Sequence, residues 1–213
     1  MKNEQKLLGY YNYTVILTYI GVLTGFIGII YAIERNVFAA ILCLMVAGFC
    51  DMFDGTIAST KDRTDQEKCF GIQIDSLSDL ICFGVLPAVL VYIMNEQSSL
   101  VLGISALYVL CALIRLAYFN VDEQERQKNS SSSRELYYGM PVTLSALFLP
   151  TIYGIGSLGL WKPNVALAVT LLAMTILFLL PFPLKKPKLL GKICVLLCGI
   201  LEVFLVVFLC ADV

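Results

Sequence analysis

The stretch VFAAILCLMVAGFCDMFDGTIASTKDRTDQEKCFGIQIDSLSDLICFGVLPAVLVYIM, residues 37–94, decides how this chain folds. It contains two apolar runs, 37–58 and 75–94, on either side of a connection dense in charge. Each run is long enough to cross a bilayer as a helix, which takes roughly 20 mainly apolar residues. Asp51 and Asp54 are three apart at the end of the first run, and Asp75 and Asp79 are four apart at the start of the second. Either spacing puts both carboxylates of a pair on one helix face. Because the two runs are antiparallel, both pairs sit at the same membrane edge, and all four carboxylates can converge on one pocket.

The rest of the chain fits that frame. Of 213 residues, 59% are hydrophobic and 15% charged, with a mean hydropathy of +0.83, far from the balance of a soluble domain. Comparable apolar stretches lie near 13–33, 99–119, 140–158, 164–182 and 189–211, which with the first two makes seven expected spans. The predicted fold is therefore all-α, a polytopic transmembrane helical bundle forming a single domain over 1–213. The first apolar run lacks a small-residue cleavage pattern and is expected to be a retained helix. The connections at Glu34–Asn36 and Asn95–Ser99 are short enough only for tight turns. Residues 59–72 read as a charged loop. Residues 120–139, with their serine run, have no apolar face to bury and read as a mobile cytoplasmic loop. The segment Met1–Tyr10 suits a short interfacial helix.

Charge orients the bundle. With the N-terminus inside, Lys2, Lys6, Lys61, Arg63, Lys68, Arg115, Arg126, Lys128, Arg134, Lys185, Lys186, Lys188 and Lys192 face the cytoplasm, leaving only Arg35 and Lys162 outside. That is the bias of a multi-pass cell-membrane protein, and it puts the aspartate edge on the cytoplasmic side. The eight cysteines are scattered without metal-site or disulfide spacing, so buried packing is their expected role. Histidine is absent, so acid–base or metal chemistry must rest on carboxylates.

Acidic groups at membrane depth cost several kcal/mol unless paired or metal-bound. No lysine or arginine lies inside either aspartate segment. A divalent cation is the simplest counterion, and oxygen-only ligation favours Mg2+ or Mn2+ over zinc. Mg2+ keeps positions for phosphate, which points to a phosphorylated substrate. Gly55 and Gly71 adjoin the cluster and would let a nucleotide or pyrophosphate approach the backbone. Against this stands a plainer expectation, that Asp75 and Asp79 cap the first turns of their helix, where the dipole favours acids. It does not extend to Asp51 and Asp54, which lie where the dipole disfavours them.

These residues resemble the signature of the CDP-alcohol phosphatidyltransferases: Asp-x-x-Asp-Gly-x-x-Ala-Arg, a spacer, then Gly-x-x-x-Asp-x-x-x-Asp. The match runs through Asp51, Asp54, Gly55, Ala58, Gly71, Asp75 and Asp79. Around it, FGIQIDSLSDLICFGVLPA (70–88), RLAYFNV (115–121) and YYGMPV (137–142) look like the phosphatidylserine synthase branch. The resemblance implies a six-helix core, here with an additional C-terminal helix, and transfer of a phosphatidyl group from CDP-diacylglycerol to L-serine with release of CMP. It also implies two metal ions held by Asp51, Asp54, Asp75 and Asp79, with Asp79 as metal ligand or general base. The donor would lie against Gly55, Ala58, Ser59, Arg63 and Gly71. The polar end of the acceptor would be met first by Arg115, Asn120, Arg134 and Thr143. The expected partners are CDP-diacylglycerol, L-serine, membrane lipid and a second copy of the chain, with no nucleic acid.

Two departures stand out. Position 59 is serine where the signature has arginine, and the spacer over 60–70 is longer than usual. If that arginine meets a donor phosphate, either its function passes to Arg63 or Lys61, of which Arg63 is favoured, or activity is reduced. A sister transferase using glycerol 3-phosphate or an inositol phosphate remains open, since no residue dictates serine on physical grounds. A carboxylate-lined cation transporter is the rival of another class. Transport sites lie near the midplane, often between inverted repeats, whereas this cluster sits at one edge of a chain without an internal repeat.

Overall fold

A computed structural model describes residues 9–129, 136–159, 161–185 and 199. After a 3-10 turn at Tyr13–Val15, the chain crosses as helix α1 (Ile16–Ile33) and returns as α2 (Val37–Ala58). Helix α3 (Asp65–Asp79), a π-helical turn (Leu80–Val85) and α4 (Leu86–Met94) join into one continuous pass. Then come α5 (Ser99–Asn129), α6 (Ser145–Ser157, entered through a 3-10 turn at Val142–Leu144) and α7 (Pro163–Leu179). Strands β1 (Leu136–Tyr138) and β2 (Pro183–Lys185) pair antiparallel, tying the approach to α6 to the exit from α7. The fold is the expected all-α membrane bundle, with six passes among the described residues and this short ladder at one end. Four helices are long and apolar enough to span a bilayer, and the two helical segments Val142–Ser157 and Pro163–Leu179 are shorter.

Helices are the natural answer to these sequences, because lipid offers no partner to backbone N–H and C=O groups and a helix satisfies them internally. The core draws Leu44, Leu86, Leu90, Tyr108, Leu149, Leu171 and Phe178 from α2, α4, α5, α6 and α7. On α1, by contrast, Ile16, Ile20, Leu23, Ile27 and Ile30 are exposed at three- and four-residue spacing, an apolar stripe suited to a lipid environment. The inner face of α1 is small instead. A Cβ at Gly28 would stand 2.8 Å from Cys43 Cβ and 2.9 Å from a Leu86 methyl, so glycine sets how closely α1 approaches α2 and α4.

The π turn has an identifiable cause. Pro87 has no N–H to give the carbonyl four residues back, that of Phe83, and its ring crowds it. Two hydroxyls take the place of the lost donor: Tyr108 Oη donates to Phe83 O at 2.7 Å and Ser145 Oγ at 3.4 Å. The register change thus falls directly after Asp79 and is held by side chains from α5 and α6.

The structure corrects several boundaries. The third pass begins at Asp65, not near residue 75, so most of the expected 59–72 loop is helix. Thr64 and Glu67 form a reciprocal capping box there: Thr64 Oγ1 accepts from Glu67 N–H at 3.2 Å, and Glu67 Oε2 accepts from Thr64 N–H at 2.9 Å. Asp75 and Asp79 consequently lie far from any helix start, and the capping role considered for them falls. The loop expected over 120–139 is helical as far as Asn129 and extended at Leu136–Tyr138. Helix-forming residues and the i, i+3 pair of Glu123 with Arg126, 2.5 Å apart, carry α5 beyond its apolar part. The expected span over 189–211, the interfacial segment up to Leu8 and Arg134 lie outside the described residues.

Candidate functional site

Antiparallel α2 and α3 bring the four aspartates together in crossed register, Asp51 facing Asp79 and Asp54 facing Asp75. One carboxylate oxygen from each of Asp51, Asp54 and Asp75 lies within 4.8 Å of the others. Asp79 is the deepest of the four, only 9% exposed, while the other three are half-buried. Helix α1 closes the third side: buried Thr18 donates from Oγ1 to Asp54 Oδ2 at 3.1 Å. Cys82 in the π turn lines the same small cleft, with its thiol engaged by the Gly21 carbonyl at 3.3 Å.

No salt bridge reaches any of the four carboxylates among the described residues. Two charged carboxylates at this separation repel by at least about 3.5 kcal/mol at an effective dielectric of about 20. A cluster left without a counter-charge would be driven apart. Three converging oxygens, no nitrogen or sulfur donor among them, and one hydroxyl orienting a carboxylate fit a hard divalent cation.

The residues expected to hold the donor have distinct surroundings. Gly55 is exposed, and nothing lies within 4 Å of where its side chain would be, so there is open space beside Asp54. Ala58 ends α2 half-buried. Ser59 is the C-cap, and its Oγ donates to Thr56 O at 2.7 Å, so it faces its own helix end. Lys61 pairs with Glu67 at 3.1 Å. The Arg63 guanidinium stands over Gly71, 3.1 Å from the position a Cβ would take there.

The expected acceptor residues are less uniform. Asn120 on α5 accepts from Ser76 Oγ at 2.6 Å and donates to Gln73 at 3.5 Å, beside the α3 turn that carries Asp75. Arg115 is buried and donates to the carbonyls of Met140 (3.3 Å) and Gly139 (3.4 Å), with its guanidinium 5.8 Å from the centre of the Phe119 ring. It fastens the approach to α6. Thr143 is half-buried in the 3-10 turn before α6. Thr18 and Tyr108 were not foreseen. A hydroxyl inside an apolar run was the only signal either offered, and hydroxyls in membrane helices more often bond their own backbone, as Thr24, Thr151, Thr170 and Thr175 do here.

Comparison with known proteins bears on the family. The family model for CDP-alcohol phosphatidyltransferase matches residues 11–201. The chain is 29% identical over 154 residues to the archaetidylserine synthase of Methanothermobacter thermautotrophicus, covering 72% of this chain and 62% of that protein. It is 37% identical over 112 residues to the CDP-diacylglycerol–serine O-phosphatidyltransferase of Saccharomyces cerevisiae, covering 51% and 40% respectively. Against the enzyme of that name in Bacillus subtilis it is 29% identical over 146 residues, covering 64% of this chain and 76% of the relative. The chain thus spans less than two thirds of the length of the first two.

Proposed function

The chain belongs to the CDP-alcohol phosphatidyltransferase family, and from that premise we propose that it transfers a phosphatidyl group from CDP-diacylglycerol to L-serine. The products are phosphatidylserine and CMP. The observation that carries this is the crossed quartet: Asp51, Asp54 and Asp75 with oxygens within 4.8 Å, and Asp79 buried beside them. The names of these relatives support serine as the acceptor. Family membership also removes the cation-transporter alternative.

Asp51, Asp54, Asp75 and Asp79 would hold Mg2+ or Mn2+, two ions in all. When bound, these supply charge neutralisation and Lewis acidity at the pyrophosphate. The residues themselves do three things. Thr18 fixes the Asp54 carboxylate so that its second oxygen stays turned into the cluster. Gly55 leaves open space for the nucleotide end of the donor. Asp79 accepts the proton of the serine hydroxyl as that oxygen bonds to the phosphatidyl phosphorus and the bond from phosphorus to the CMP oxygen breaks. Of the acceptor candidates, Asn120 is favoured, because it stands beside the Asp75 turn, whereas Arg115 is engaged with backbone carbonyls. Thr143 and Arg134 stay in the proposal on the topology, which puts them on or near the inner face.

The site is proposed to face the cytoplasm at the cell membrane. The aspartate end of the described helices carries Lys61, Arg63, Lys68, Arg115 and Arg126, against Arg35 and Lys162 at the other end. A homodimer belongs to the same proposal on the family resemblance.

The test is release of CMP from CDP-diacylglycerol by purified protein in detergent with Mn2+ or Mg2+. L-serine, glycerol 3-phosphate, inositol phosphates and no acceptor are compared. Serine-dependent release is expected. Release with glycerol 3-phosphate or an inositol phosphate instead would replace the acceptor, and metal-independent or absent release would sink the transfer.

A further inference from the structure

The connection between α2 and α3 departs from the signature twice, and the two departures fit together. Ser59 has lost the arginine and instead caps α2 through Thr56 O. The longer connection carries two cations, Lys61 and Arg63, whose surroundings differ. Lys61 Nζ is 3.1 Å from Glu67 Oε1, an oxygen that also accepts from Asn12 Nδ2 at 3.1 Å. Its charge is therefore answered locally. Arg63 is half-buried and forms no ion pair or hydrogen bond among the described residues, although it lies close to α3.

Its direction is fixed by Gly71. The Nη1 atom lies 3.1 Å from where a Gly71 Cβ would point, so the guanidinium occupies the side-chain space of position 71. Positions 71, 75 and 79 are spaced by four on one helix and share a face. The guanidinium is thus on the face of α3 that carries Asp75 and Asp79, about one turn, roughly 5.4 Å along the axis, from Asp75. We propose that Arg63, seated over Gly71, takes the place of the missing signature arginine and binds a phosphate of the liponucleotide donor. A planar fork one turn from a metal-binding cluster suits a group with two adjacent phosphates: one reaches the carboxylate-held cations, the other the guanidinium. Gly71 leaves that seat open, and even an alanine Cβ there would press the guanidinium aside by a few tenths of an ångström. Glu67 serves by holding Lys61 and the start of α3, which leaves Arg63 free for ligand. The proposal rests on the transfer assigned above for the identity of the donor.

The test measures equilibrium binding of radiolabelled CDP-diacylglycerol to the full chain in detergent with Mn2+, alongside serine-dependent CMP release. Arg63→Gln should weaken donor binding at least about 10-fold, the range expected for a lost charge-assisted hydrogen bond, with the KM for serine unchanged. Lys61→Gln should change it less than about 3-fold. Adding Ser59→Arg to Arg63→Gln should restore binding to within a few-fold of the parent. Gly71→Ala keeps the arginine but crowds its seat; it should weaken binding measurably and serves if Arg63→Gln does not fold. Parent-like donor binding in Arg63→Gln, or equal losses in Lys61→Gln and Arg63→Gln, would overturn the proposal while serine-dependent turnover left the transfer standing. Donor binding without turnover in the parent would sink the transfer and still decide Arg63. No donor binding by the parent would remove both.

Discussion

Two connections join antiparallel apolar helices at opposite ends of α2, and they are built by different means. The turn from α1 is closed by backbone: the N–H groups of Glu34, Arg35 and Asn36 donate to the carbonyls of Ile30, Ala32 and Tyr31, and Asn36 caps α2 by accepting from Ala39 N–H. Arg35 takes φ 62° to make the bend. The connection to α3 is knit by side chains from three segments. Tyr10 donates to Gln66 at 3.1 Å, Tyr13 and Thr60 share a hydrogen bond at 3.1 Å, and Glu67 gathers Asn12, Lys61 and Thr64. A turn that only reverses the chain needs no such ties. A connection beside four carboxylates has to hold its cations in place, and that difference marks which end of the bundle works.

If the contrast is right, substitutions at the two ends should separate into losses of activity and losses of stability. The largest effect is expected at Asp79. Asp79→Asn keeps the volume but removes the base and a ligand, and serine-dependent CMP release should fall about 10²–10⁴-fold while the protein stays folded by gel filtration. Thr18→Val comes next. It removes a hydrogen bond to a carboxylate, of a kind worth about 1.5–3 kcal/mol, and should lower turnover about 10-fold without changing the KM for serine. Glu67→Ala should raise the donor KM several-fold by uncapping α3 and loosening the connection that carries Arg63, while kcat changes little. At the other end, Asn36→Ala should cost about 1 kcal/mol in thermal or denaturant unfolding, as lost caps do, with turnover unchanged. The smallest effect is expected from Arg35→Gly. It relieves a left-handed residue and should leave stability within about 1 kcal/mol of the parent or slightly above it. A large loss of turnover in Asn36→Ala would break the contrast.

The same two regions show what the sequence could reveal. The aspartates were legible because three- and four-residue spacing on antiparallel helices leaves little freedom in where the carboxylates go. The tight turn at Glu34–Asn36 was legible from its length. The start of α3 was missed because Asp65, Gln66, Glu67 and Lys68 are polar and read as loop. The signal was present in Thr64-x-x-Glu67, a helix start that needs no apolar residue. The polar extension of α5 to Asn129 was missed for the same reason: hydropathy finds the bilayer, not the end of the helix. The π turn after Asp79 could be suspected only from Pro87, and its partners Tyr108 and Ser145 come from helices that the sequence cannot align with it. Arg63 could be named as a candidate for the donor phosphate, but its seat over Gly71, and the pairing that occupies Lys61 instead, exist only once α2 and α3 are folded.

Everything functional here depends on the quartet acting as one cation site, and titration of the purified protein with Mn2+, followed by the paramagnetic resonance of the free ion, tests that most directly. The expected result is saturable binding of two ions per chain, weakened at least 10-fold by Asp51→Asn or Asp75→Asn and unaffected by Asn36→Ala. Equal Mn2+ binding in the parent and in a variant with all four aspartates changed to asparagine would contradict it.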